Sequence, residues 1–241
     1  MTEKRQLPRL FLMRHGETEW SLNGRHTGRS DIPLTQNGVE IIKKKAPHIA
    51  GPGKFLDPTQ IGKVWISPRQ RARKTFELLF DGHTHEFTPA EDDSSTCKGP
   101  GEPGVIHTTE EVAEWNYGDF EGLKPAEIQA RKPGWAIWTD GCPGGESVEE
   151  MTARVDKVIA KVHEYHRQYF EEGHGKKDVM IFSHGHFSRV FISRWMEFTP
   201  ALGTHFNVEA GGIALLCYNH RNLKEPALSG LNLFAFSPEH V

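Results

Sequence analysis

The sequence predicts an α/β fold, with a mostly parallel central sheet and helices on both faces. Three observations point to it. Short apolar runs alternate along the chain with segments of helical length. Uninterrupted apolar runs of this kind suit strands covered on both sides. The three clearest, Arg9-Leu-Phe-Leu-Met13, Lys63-Val-Trp-Ile66 and Asp178-Val-Met-Ile-Phe182, each stop abruptly at a loop that carries His or Arg.

In chain order, the first strand gives way to Arg14-His15-Gly16. Leu34-Thr35-Gln36-Asn37-Gly38 opens a helix with Thr35 as its N-cap. That helix should stop near Pro47, because proline removes a donor and clashes with the preceding turn. The second strand ends at Ser67-Pro68-Arg69, and a helix over 71–80 follows with Ala72, Phe76 and Leu79 on one side. Asp92 to Gly104 is rich in Pro, Gly, Ser and acidic residues and almost free of apolar ones. This predicts a mobile surface insert near 91–105 inside a single domain spanning 1–241. Residues 148–170 read as a long helix, with Met151, Val155, Val158, Ile159 and Val162 on one face. The third strand ends at Ser183-His184-Gly185, a helix over 187–196 follows, and 212–218 and 231–236 are the expected last strands.

Composition removes several function classes. The chain has 241 residues, 29 of them basic and 32 acidic, for a formal net charge of −3. A general nucleic-acid binder needs a dense basic surface, so nucleic acid is not an expected partner. Cys97, Cys142 and Cys217 are odd in number and widely spaced, which argues for a reducing compartment and against a disulfide framework. The polar start, Met1 to Arg9, has no apolar signal core, and no run is long enough to cross a bilayer. The expectation is a cytoplasmic protein, with the nucleus left open, and no membrane partner. The sequence sets no oligomeric state.

In open α/β sheets, ligands bind beyond the carboxyl ends of the strands. Arg14, His15, Arg69 and His184 each follow a predicted strand, so three separate segments deliver cations and imidazoles to one edge. An isolated Arg beside a strand is usually a surface residue, but four such residues converging is a different matter. The planar forks of Arg14 and Arg69 match phosphoryl oxygens, and His184 adds a donor. Gly16 and Gly185 leave room for backbone N–H groups to approach an anion. A neutral imidazole such as His15 is a competent nucleophile near neutral pH. A phosphoester also needs its leaving oxygen protonated. Glu114 is one candidate for that, although periodicity does not choose it over Glu110, Glu111, Asp119 or Glu121.

Four segments carry a family resemblance, in family order. Leu12-Met-Arg-His-Gly-Glu-Thr-Glu-Trp20 resembles the signature of the histidine phosphatase superfamily, in its phosphoglycerate mutase-like branch. Ser67-Pro-Arg-Gln-Arg-Ala72, Glu114-Trp-Asn-Tyr-Gly118 and Ser183-His-Gly-His186 resemble its second, third and fourth motifs. The resemblance implies a three-layer α/β/α sandwich, chemistry without metal or cofactor, and a small phosphorylated metabolite as substrate. It implies His15 as nucleophile, Arg14, Arg69 and His184 as ligands of the transferred phosphoryl group, and Glu114 as proton donor. Glu114 to Gly122, Trp135 to Cys142 and Gly145-Glu146 further resemble the fungal sedoheptulose bisphosphatases. From these likenesses Ser21, His26, Thr27, Gly28, Gly185, Arg189 and His220 are candidate substrate- or phosphate-binding residues. Ser21 stands where many relatives have Asn, and His26 stands where the sedoheptulose bisphosphatases have Tyr. The stretch from Phe198 to Ala210 is shorter than theirs.

Some signals are set aside. His184-Gly-His186 and His83-Thr-His85 lack the carboxylate or thiolate cluster of a metal site. Lys43-Lys-Lys45 reads as a solvated helix face, and Ser183 lacks the flanking glycines of a nucleophile elbow. The leading expectation is a phosphatase acting on sugar phosphates or sugar bisphosphates through phosphohistidine. A cofactor-dependent phosphoglycerate mutase and a non-catalytic regulator on the same fold are the alternatives. Trp138-Thr139-Asp140 lacks the basic pair that mutases carry after such a Trp. Arg25, Arg29, Lys124, Arg131 and Lys132 remain as candidates for a second phosphate.

Overall fold

The computed structural model describes residues 5–90 and 92–235. The elements run β1 (Arg9–Arg14), α1 (Glu19–Asn23), α2 (Gln36–Ile49), β2 (Ile61–Ile66), α3 (Gln70–Leu79), β3 (Phe87–Pro89), β4 (Gly104–Thr108), α4 (Pro125–Arg131), α5 (Ile137–Asp140), α6 (Val148–Arg167), β5 (Asp178–Ser183), α7 (Gly185–Trp195), β6 (Ile213–Tyr218) and β7 (Pro226–Leu233). They form one seven-stranded sheet in the order β3-β4-β2-β5-β1-β6-β7. β1 to β5 run parallel, β6 runs against β1, and β7 runs against β6.

The central strands are buried on both faces, which is why their sequences are continuously apolar. Alternation sorts their side chains into two cores. Leu10, Leu12, Val179 and Ile181 face α6 and α7, whereas Phe11, Met13, Met180 and Phe182 face α2 and α3. The result is the three-layer α/β/α sandwich. No described helix is long and apolar enough to cross a membrane.

Several boundaries differ from the expectation. α2 continues through Pro47 to Ile49, since a proline in the last turn forfeits only one hydrogen bond and Ala50 N–H still reaches Ala46 O. Lys45 is not solvated: its side chain is 2% exposed and lies beneath the sheet edge. The last strand spans 226–233 in place of 231–236, and Phe236 lies outside the described residues. β3 and β4 were not foreseen. β3 is three residues long and β4 sets its two large apolar residues, Val105 and Ile106, side by side, so neither shows a strand period. The 92–103 segment is a loop tied to the body, not a free insert. Asp93 accepts from Trp65 Nε1 at 2.6 Å and pairs with Lys63 and Lys161, and Cys97 is buried.

One buried polar group ties fold stability to pH. His166 is fully buried and its Nδ1 shares a 2.8 Å hydrogen bond with Tyr218. Burial, and then His163, lowers its pKa to about 3. The unfolded chain takes up this proton near pH 6.5 and the folded chain does not, so stability is lost as pH falls from about 6.5 to about 3. Urea titrations across that window should show the unfolding free energy of the wild type falling. His166→Gln should remove about 1.4 kcal/mol per pH unit of that slope. An unchanged slope in the variant would place the acid sensitivity elsewhere.

Candidate active site

The register of the parallel strands builds the site. Arg14 lies beside Ser183 across the β1–β5 pair, and Ile66 lies beside Phe182 across β2–β5. The three strands therefore end at one level, and their chains continue as His15, Ser67 and His184. His15 N–H donates to Ser183 O at 3.0 Å and Ser67 N–H to Phe182 O at 3.0 Å, so the pairing persists one residue into the loops. Beyond this edge lies a cleft of about 320 Å³. Arg14, His15, Glu114, Gly185, His186 and Arg189 line its base and far wall. Thr18 to His26 supply much of the near side.

His15 is 5% exposed. Its Nδ1 sits 2.7 Å from Gly16 O, so Nδ1 carries the proton and donates it to that carbonyl. Nε2 keeps its lone pair and takes no hydrogen bond among the described residues. Burial, and then the charges of Arg71 and Arg14, hold the imidazole well below its ordinary pKa, which leaves it neutral. Arg14 donates to Val208 O at 2.6 Å, while its Nε is buried without a partner. An orphaned guanidinium N–H beside a neutral imidazole is a position suited to an anion.

Glu114 lies across the start of α7. Its carboxylate accepts from the N–H groups of Trp115 (2.9 Å), His186 (3.0 Å) and Phe187 (2.8 Å). A carboxylate at a helix N-terminus meets unsatisfied N–H groups and the positive end of the helix dipole. Gly185 adds no bulk here: a Cβ would sit 3.6 Å from Arg14 Cζ and 3.7 Å from Glu114 Oε2.

His184 packs edge-on to His15 with ring centroids 5.1 Å apart. Its ring nitrogens are both engaged. Arg71 Nε donates to Nδ1 at 3.2 Å, and Nε2 lies 2.7 Å from Ser67 Oγ. With Nδ1 accepting, Nε2 carries the proton, and burial beside Arg71 keeps the ring neutral.

The second-motif arginine is the main correction. Arg69 turns its fork onto Glu110, with both contacts at 3.0 Å, and does not line the cleft. Arg71 does not line the cleft either, but it lies against the His184 side of the site, its Nη1 on Ser30 O and its Nη2 on Thr27 O and Gly28 O. It is fully buried, bonded to His184, and close enough to lower the pKa of both His15 and His184. Arg69 is the extended N-cap of α3 and Arg71 lies inside the helix, so the two side chains leave the backbone in different directions.

Other expected binders divide. Ser21, His26, Thr27 and Arg189 line the cleft. Ser21 Oγ is committed to Thr18, donating to its carbonyl at 2.8 Å as part of the α1 capping box. Gly28 does not line the cleft: its N–H is directed to Glu121, and a Cβ there would lie 2.6 Å from Trp115 O. His220 is removed altogether. It sits in the turn after β6, exposed and paired with Glu225, at the opposite edge, because β6 runs against the other strands. Asp140 caps Ala136 N–H at 2.8 Å and stays out of the cleft. Of the five basic residues considered for a second phosphate, Arg25 alone lines it.

Tyr117 and His186 were not anticipated as wall residues. Their side chains meet at 2.7 Å, and His186 stacks on His26 at 5.8 Å. Both lie inside quoted motifs, which was the available signal.

Among characterised proteins, the chain is similar to a sedoheptulose 1,7-bisphosphatase of Saccharomyces cerevisiae, 31% identical over 96% of this chain and 95% of that one. It is similar to an acid phosphatase of Mycobacterium tuberculosis, 34% identical over 92% of each. Among solved structures, the product of an open reading frame of Mycobacterium tuberculosis superposes with a TM-score of 0.71 at 31% identity, over 95% of this chain and 98% of that one. The model of the histidine phosphatase superfamily (branch 1) matches residues 10–93 and 97–229, and the chain, a phosphoric monoester hydrolase, belongs to that superfamily.

Proposed function

We propose that this enzyme hydrolyses small phosphate monoesters, sugar phosphates or sugar bisphosphates in particular, through a phosphohistidine on His15. One observation carries the reading: Gly16 O fixes the Nδ1–H tautomer of His15, so its Nε2 keeps a free lone pair in a cleft that Arg14, with an unpartnered Nε, also lines. In the first step Nε2 attacks phosphorus, the P–O bond to the leaving group breaks, and Glu114 in its acid form protonates that oxygen. In the second, Glu114 as carboxylate takes a proton from water, the oxygen attacks phosphorus, and the P–N bond breaks. Arg14 and Arg71 supply the positive charge for the phosphoryl oxygens, so no metal is required. The similarity to a sedoheptulose bisphosphatase supports a sugar bisphosphate, and Arg25 and Arg189 on the cleft supply cations for its second anionic group.

The covalent step is tested by rapid quench with labelled substrate. The wild type should yield an acid-labile, base-stable phosphoenzyme that decays to free phosphate. His15→Ala should lose both label and turnover, and normal labelling in that variant would move the nucleophile elsewhere. Arg71→Ala should lower kcat by about 100-fold or more, as loss of a transition-state donor does. Arg69→Ala, whose fork is on Glu110, should cost less than about tenfold. The reverse order in steady-state assays would restore Arg69 to the phosphate. Glu114→Gln should slow alkyl phosphates far more than activated aryl phosphates, which need little protonation. Equal losses on the two classes would leave Glu114 a cap for α7 alone.

A further inference from the structure

Lys45 is the one member of its triple-lysine run that the fold buries, at 2% exposure on α2. It has no carboxylate partner among the described residues. Burial alone pushes the ammonium down to about 8. Unpaired buried ammonium groups are costly, and a methionine would fill similar space without a charge. The ammonium instead serves carbonyls: it donates to Gly211 O and to Phe234 O.

Gly211 stands directly behind the proposed nucleophile. Its N–H reaches Arg14 O at 3.1 Å and His15 O at 2.9 Å, and Gly212 O accepts from Arg14 N–H at 3.1 Å. The 211–212 turn thus grips both faces of the Arg14–His15 backbone. Its conformation has φ +71°, the left-handed region that glycine takes without strain. A Cβ at Gly211 would lie 3.0 Å from Lys45 Nζ and 3.1 Å from Ile42 Cδ1, so the turn and α2 are in direct contact. With N–H on β1 and C=O on Lys45, the Gly211 peptide relays the position of α2 to the nucleophile.

We infer that Lys45 is a positioning residue, which sets the height of His15 and Arg14 in the cleft by holding the Gly211 carbonyl. It touches no substrate. It acts on the alignment of Nε2 with phosphorus, where a displacement of about 1 Å can cost about 100-fold in rate. The walls at Arg25, His26 and Arg189 do not depend on this turn, so substrate affinity is largely spared.

The inference rests on His15 as nucleophile, and the test separates the two. Wild type, Lys45→Met, Lys45→Gln and Gly211→Ala are compared by rapid-quench labelling at saturating substrate, with KM and the thermal midpoint measured alongside. Lys45→Met should label at least about tenfold more slowly with KM within about threefold. Lys45→Gln, neutral and one atom shorter, should fall in the same direction and serves if the methionine variant does not fold. Gly211→Ala disturbs the turn from the other side and should show the same loss. A lowered thermal midpoint with labelling within about twofold of wild type, in any folded variant of these three, would reduce Lys45 to a staple of the C-terminal segment and overturn the inference. Absence of label in the wild type would instead overturn the nucleophile assignment.

Discussion

The parallel pairing of β1 with β5, with β2 on the other side of β5, governs the rest of the molecule. Hydrogen bonding holds the three strands in a register that places Arg14 beside Ser183 and Ile66 beside Phe182. A slip of one residue would exchange the two faces of a strand, moving Leu12 toward the Phe11 side and burying the wrong set against each helix layer. The two cores therefore lock the register, and the register fixes where His15, Ser67 and His184 leave the sheet. Site geometry is in this sense a by-product of apolar packing some distance below it.

What stands on that edge is an excess of buried positive charge. Arg71 and Lys45 are drawn from water, Arg14 has a buried, unpartnered Nε, and Glu114 is the one carboxylate among the described residues that lines the cleft. Carbonyl oxygens of Val208, Ser30, Thr27 and Gly211 stand in for counterions. Carbonyl dipoles satisfy donors without cancelling the charge, so the site stays electropositive and its imidazoles stay neutral. That arrangement costs folding stability and reserves attraction for an anion, a common compromise at catalytic centres.

The sheet also explains which candidate residues scattered. Parallel strands bring their carboxyl ends together, so residues after β1, β2 and β5 converge, and that much was legible from three apolar runs. β6 is antiparallel, which sends His220 to the far edge although it too follows a strand. Strand direction is not written in a six-residue apolar run. It depends on whether a helix or a short loop closes the connection, and on which neighbour the strand pairs with.

By itself, the sequence determined the α/β class and the three motif-bearing strand ends, and it named Arg14, His15 and Glu114, which line the cleft, and His184, which does not line it but packs on His15, because periodicity and local motif composition are properties of short segments. It did not determine which of Arg69 and Arg71 is buried against His184, since that depends on where α3 begins and on Glu110 being within reach of the other. It gave Lys45 the same appearance as Lys43 and Lys44, because burial on α2 is decided by the 211–212 turn arriving from elsewhere in the chain. Tautomers and orphaned donors likewise belong to the tertiary structure: a proton's place on His15 or His184 is set by a carbonyl, a guanidinium or a hydroxyl that only folding brings within about 3 Å.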